Sequence, residues 1–173
     1  MRAQYEERIG GILLKTRPEY ARTFIDNWRR TGKPQVFLVY DRRPILQRGD
    51  LVFVYVINKN RLGFYARFVG SEWVRGFKEV EDDETRIRER ERIWNLYGDG
   101  QLHTTDKREF DDFWERQDGV RSLVIMEDLV EIKKNIRWKD LMRILHTNFP
   151  RGVGYLYITN VEANSILKLV QDP

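Results

Sequence analysis

Arg42, Arg43 and Arg48 fall within seven consecutive positions of this chain, beside Pro44 and between two apolar runs. Arginine at that density is chemistry for anions, because the planar guanidinium donates two parallel hydrogen bonds to a phosphate or carboxylate. Lys33 precedes the group, and Arg61, Arg67 and Arg75 follow it, so one face can collect all of them. In the run after Arg61, Leu62, Phe64, Ala66 and Phe68 share one side, while Gly63, Tyr65, Arg67 and Val69 share the other. A ring and a cation side by side suit a stacked base and its backbone. Trp73, between Glu72 and Val74, and Trp94, on a charged segment, are further candidates for lining a cage around a planar base. The expected nucleic-acid-binding set is therefore Lys33, Arg42, Arg43, Arg48, Tyr65, Arg67 and Trp73. A solvated face, its cations paired with neighbouring acids, accounts for the same residues without a ligand.

Other chemistry is thinly supported. The absence of cysteine excludes disulfides, thiolate catalysis and cysteine-ligated zinc. His103 and His146 have no neighbouring metal-ligand spacing, and His146, after Leu145 at a helix end, reads as a dipole contact. Ser71, Ser122 and Ser165 lack a nucleophile elbow. Glu81 to Glu84 is an acidic cluster that can hold magnesium but more simply complements a helix dipole. Gly152-Val-Gly154 precedes a strand rather than a helix and is no nucleotide fingerprint. The expectation is no catalytic residue, no metal and no cofactor.

These residues need elements to hold them. Ile9 to Lys15 reads as a strand, and Thr16-Arg-Pro-Glu19 as a capping box with proline in the first turn. Tyr20, Ala21, Phe24, Ile25 and Trp28 recur at helical spacing until Gly32 ends the helix. Gln35 to Tyr40 and Leu51 to Ile57 are strands, the second apolar on both faces. Asn58 to Arg61 forms the turn into a third strand running to Val69. Glu79 to Arg92 alternates acids and bases at helical spacing, and Asp106 with Glu109 can cap a second helix that buries Phe110, Phe113 and Trp114. A strand over Arg121 to Lys133, a helix marked by Trp138, Leu141, Met142 and Leu145, a strand over Val153 to Thr159, and a helix capped by Thr159 and Glu162 complete the chain. Trp28, Trp114 and Trp138 read as core.

The net charge of +4 conceals a segregation: residues 1–75 carry +8, residues 76–118 carry −6, and the remainder carries +2. Positive charge accompanies the predicted sheet and can attract phosphates. Arginine outnumbers lysine 22 to 9, which suits a thermophile. Met1 to Arg8 has no apolar signal core and no run approaches a membrane span, so the expected location is the cytoplasm. One domain over residues 1–173 is expected, with 76–118 as a helical insertion.

The order strand, helix, Gly32-Lys33, strand, loop, Gly49-Asp50, strand, hairpin and distant closing strand resembles the PUA-like superfamily, which includes PUA, ASCH, EVE and archaeal members. The resemblance covers Ile9 to Val74 and, more loosely, Arg121 to Thr159. It implies an α+β fold, a mixed-sheet pseudobarrel with flanking helices and a charged helical insertion. It also implies a module that binds RNA or a modified base in a cleft beside the first helix. ASCH domains follow Gly-x-Lys with a glutamate and an arginine on the next strand, whereas Gly32 to Tyr40 has no acid and the first arginine is Arg42. An ASCH-like hydrolase or ribonuclease would then need Lys33 with Asp41 or Asp50 as its acid/base pair. A protein-interaction domain using the acidic segment is a third reading.

Overall fold

The structure, a computed structural model, describes residues 8–39, 44–116, 119–146 and 154–172. Among these residues six strands and five helices follow one another, beginning with β1 (Ile9–Thr16), α1 (Pro18–Thr31), β2 (Gln35–Val39), β3 (Leu51–Val56) and β4 (Arg61–Trp73). Then come α2 (Asp83–Tyr97), α3 (Lys107–Arg116), β5 (Ser122–Glu131), α4 (Trp138–Met142), β6 (Tyr155–Thr159) and α5 (Asn160–Gln171). The strands make one mixed sheet in the order β2-β5-β4-β3-β1-β6, in which only β1 and β3 run parallel.

The sheet is not closed, since β2 and β6 are its two edges. It nevertheless curls. Phe37 and Val39 of β2 and Tyr155 and Tyr157 of β6 pack into the same apolar cluster as Phe24 of α1, although four strands separate them in the ladder. That geometry is the expected α+β pseudobarrel left open along one seam. Bulges in the β4–β5 pairing, between Tyr65 and Arg67 and between Phe68 and Gly70, let the long β4 bend.

Local sequence explains the elements. Every residue of β3 is buried, as its two-sided apolar run requires. Helix α1 ends at Gly32 with φ 66, and the Gly32 amide donates to the Trp28 carbonyl at 2.9 Å. Helix α5 has the anticipated capping box: Thr159 Oγ1 accepts from the Glu162 amide, and Glu162 Oε1 accepts from the Thr159 amide at 2.8 Å. The start of α1 differs from the expectation. Thr16 belongs to β1, opposite Val56, and Arg17 is the N-cap without a side-chain bond. Pro18, lacking an N–H, starts the helix there without a cap. Helix α2 likewise begins later than Glu79, where the Asp82 carboxylate accepts from the Thr85 amide at 2.7 Å.

The sheet is covered on both faces. Ala21, Phe24 and Ile25 of α1 pack on Val52, Val54, Phe64 and Ala66. On the other side Ala163 and Ile166 of α5 pack with Leu13, Phe53, Tyr55 and Leu62. Helices α2 and α3 build a third cluster, in which Ile93, Phe110 and Trp114 meet Val36 and Leu123. Trp114 is buried, while Trp28 and Trp138 are half-buried against their clusters. Trp94 is half-buried and packs on Phe110 at a ring distance of 5.3 Å, in this third cluster. No helix among the described residues is long and apolar enough to cross a membrane.

Candidate nucleic-acid interface

The open seam of the sheet holds a cavity of about 260 Å3 beside the N-terminal end of α1. Its walls come from elements far apart in sequence. Strand β1 brings Lys15 and Thr16, α1 brings Tyr20 and Phe24, β2 brings Phe37 and Val39, and β6 brings Tyr155. The segment between β4 and β5 supplies the remaining wall through His103 and Phe113. Five aromatic residues with one imidazole make the interior largely apolar and planar-walled. Arg17 stands at the cavity with its guanidinium 5.7 Å from the Tyr20 ring centre.

His103 is the polar feature of this interior. It is 4% exposed, its ring 4.4 Å from Phe113 and 4.5 Å from Tyr20, and its Nε2 has no hydrogen-bond partner among the described residues. Burial pushes its pKa down to about 3, so the imidazole is neutral at physiological pH. A neutral ring presents one donor and one acceptor nitrogen, and a buried unpaired nitrogen is costly unless a ligand or water completes it. Burial also raises the Tyr20 hydroxyl above its ordinary value, so it stays protonated. No carboxylate lies among the described residues lining the cavity.

A buried polar joint fixes His103. Asn27 Nδ2 on α1 donates to the Leu102 carbonyl at 3.0 Å and to Gln35 Oε1 at 3.2 Å. Gln35 Nε2 donates to the carbonyls of Gly100 at 2.9 Å and Lys33 at 3.0 Å. The backbone on either side of Gln101 is thus tied to α1 and β2, and Val36 adds an amide bond to the Gln101 carbonyl at 2.8 Å. Sequence reasoning passed over His103 because it has no ligand spacing. The signal available was two uncharged polar residues, Asn27 and Gln35, at positions that the apolar pattern assigns to the core.

Five of the residues expected to bind nucleic acid are described, and they lie elsewhere. Lys33 directs its ammonium to the Asp99 carbonyl at 3.3 Å and the Asp99 carboxylate at 3.9 Å, past the C-terminal end of α1. Arg48 is exposed in the turn before β3, and Arg67 reaches the same turn, donating to the Gly49 carbonyl at 3.0 Å. Tyr65 packs beside Phe53 on the α5 side of the sheet, with ring centres 6.2 Å apart. Trp73 is 52% exposed at the far end of β4. Arg42 and Arg43 lie outside the described residues, as does Asp41. The structure therefore brings Arg48 and Arg67 together but gathers Lys33, Tyr65 and Trp73 at three other places, and none of these five lines the seam cavity.

The residues of the two other readings are engaged locally. Asp50 Oδ2 accepts from the Gln47 amide at 2.8 Å, whereas Lys33 turns to Asp99. Glu81 holds Arg75 at 3.1 Å and Asp82 caps α2. Among the described residues no group of three or more acidic or histidine side chains is placed to hold a metal. His146 donates its backbone amide to Glu162 Oε2 at 2.8 Å.

No protein-family model matches the chain, and no curated protein matches it in sequence. Solved structures do resemble it in shape. The crystal structure of ASCH from Zymomonas mobilis superposes with a TM-score of 0.65 at 14% identity, covering 94% of this chain and 97% of that one. A hypothetical protein from Leishmania major gives 0.55 at 16% identity over 96% of this chain and 97% of its own. A Pseudomonas putida protein gives 0.52 at 14% identity, covering 92% and 98% of the two chains. The chain therefore has a PUA-like fold, an open α+β mixed sheet with flanking helices, and shares it with the Zymomonas mobilis ASCH structure.

Proposed function

We propose that this protein binds nucleic acid, RNA above all, by receiving one unstacked base in the seam cavity. The observation that carries the reading is His103: a neutral, buried imidazole with an unpartnered Nε2 inside an aromatic-walled cavity. Bases splayed from a single strand stack on aromatic rings and are read by hydrogen bonds along their edges. Lys15 and Arg17 at the cavity place positive charge where the adjoining phosphate would lie. The lack of a carboxylate among the described lining residues, and a histidine too acidic in its conjugate form to accept protons near neutrality, favour binding over acid/base turnover.

Fluorescence anisotropy with labelled single-stranded RNA, duplex RNA and single-stranded DNA, at low and moderate salt, tests this reading. Single-stranded RNA is expected to bind most tightly and to weaken with salt as counterions compete. His103→Phe, which keeps a ring but removes the polar edge, is expected to weaken that binding about tenfold, as loss of one buried hydrogen bond does. Failure of all three nucleic acids to bind at low salt would assign the cavity to another ligand.

A further inference from the structure

A second, larger depression of about 570 Å3 lies on the other side of the α1 N-terminal turn. The boundary between the two is thin. Arg17 and Ile57 line the seam cavity, while their chain neighbours Pro18 and Val56 line the second groove. The Ile57 amide donates to the Thr16 carbonyl at 3.0 Å, so a single backbone bridge forms the ridge. The two sites thus adjoin through chain neighbours whose Cα atoms are about 3.8 Å apart.

The groove differs from the cavity in chemistry. Its floor is small and aliphatic, from Ala21, Ile25, Gly63 and Ile132, with no aromatic ring to stack a base. Its sides carry Arg22, Lys59, Arg61 and Lys133 against Glu19 and Glu131. Glu131 is already answered within the protein: both Arg22 and Arg29 donate to its carboxylate and, against the opposing effect of burial, hold it below its ordinary pKa. Arg61 is spent on backbone, donating to the carbonyls of Ile132, Lys133 and Lys134. Lys59 and Lys133 are different, being exposed and without an ion-pair partner among the described residues. A smooth floor with two uncommitted ammonium groups fits a phosphodiester chain and offers nothing to read sequence.

We propose that this groove carries the sugar–phosphate backbone of the nucleotides on one side of the base held in the seam, with Lys59 and Lys133 as phosphate contacts. The inference rests on the base-binding reading of the cavity and adds the path of the strand and its polymeric length. It makes the ligand a single-stranded polynucleotide, bound more tightly when extended toward the groove.

The test uses the full chain, fluorescein-labelled RNA and DNA dodecamers of mixed sequence, and two variants. Lys59→Glu/Lys133→Glu alters two exposed side chains, and Phe113→Leu keeps an apolar side chain in the cavity while removing its ring. The lysine variant is expected to bind the preferred dodecamer at least tenfold more weakly and to lower the salt slope by roughly 1.4, at about 0.7 per phosphate contact on a single strand. Phe113→Leu is expected to weaken binding with the salt slope unchanged. Wild-type affinity and slope in the lysine variant, alongside weakening by Phe113→Leu, would overturn the groove and leave the cavity reading standing. Weakening by the lysine variant alone would support the groove and remove the base from the seam. No binding by the wild-type chain to either dodecamer would overturn both. Whichever of RNA and DNA binds more tightly identifies the polymer.

Discussion

The His103 ring, from the segment between β4 and β5, meets the Tyr20 ring of α1 edge-on at a centroid distance of 4.5 Å. This contact joins the helical segment to the first helix in the wall of the seam cavity. Its partner Phe113, from α3, lies 4.4 Å from the imidazole on one side and 5.9 Å from Tyr20 on another. The three rings act as one wall, and a change in any of them is felt by the cavity.

The buried imidazole makes stability pH-dependent with a definite sign. In the unfolded chain His103 takes up a proton near its ordinary value of 6.5, whereas the folded chain resists it until about pH 3. Between those values the unfolded state binds the extra proton, so acid favours unfolding. The contribution of His103 is constant above 6.5 and falls by about 1.4 kcal/mol per pH unit between there and about pH 3. Urea midpoints measured across this range for wild type and His103→Phe are expected to diverge as pH falls, with the wild type losing more. Parallel curves would show that the imidazole is charged in the folded chain.

Glu131 gives a smaller effect with a different window. Hydrogen bonds from Arg22 and Arg29 outweigh burial and hold its pKa below the ordinary 4.5. Its stabilisation is therefore present above 4.5 and is lost as pH falls through the lower folded value. Because both arginines are more than half exposed, Glu131→Gln is expected to cost no more than about 1 kcal/mol at neutral pH. High salt should shrink the difference further, and thermal melts of the two proteins at two ionic strengths check this.

Gly10 sits where β1 meets the start of α5. A Cβ there would come within 2.5 Å of the Asn160 Cα, a backbone atom that cannot swing aside, while the Asn160 amide donates to the Arg8 carbonyl at 2.6 Å. Gly10→Ala is expected to destabilise the chain by about 2 kcal/mol through this overlap. Gly70→Ala is the control, since nothing lies within 4 Å of its added Cβ. Equal melting temperatures for the two variants would refute the close approach.

Thr159 terminates the edge strand β6 and caps α5 in the same residue. Thr159→Ala removes the acceptor for the Glu162 amide and is expected to cost about 1 kcal/mol. Glu162 also accepts from the His146 amide, so Glu162→Ala should cost more than the threonine change. Denaturant titrations of both variants rank them.

Local chemistry was legible where one residue type has one physical solution. Gly32 had to accept the left-handed conformation, Leu51 to Val56 had to be buried on two faces, and Thr159 with Glu162 had to cap a helix. The alternation along β4 placed Phe64, Ala66 and Phe68 against α1, but Leu62, expected on the same face, packs on the α5 side because the pairing with β3 shifts register between Val54 and Tyr55. It could not show that the opposite face would be covered too, so that Tyr65 packs beside Phe53 instead of standing in solvent. Nor could it extend β4 to Trp73, because the bulges that let a strand bend are properties of its pairing with β5.

The sequence by itself determined the elements, their order and the segregation of charge, since propensity, capping and periodicity act over a few residues. Tertiary structure alone decided the site. The seam cavity joins β1, α1, β2, β6 and the helical segment, and its central residue, His103, lies more than eighty positions from Tyr20. The curl of the sheet brought its two edges together, and the Asn27–Gln35 joint drew the segment against α1. A local pattern carries no information about such closure, because side chains that meet across it share no periodicity, only the apolar surface they remove from water together.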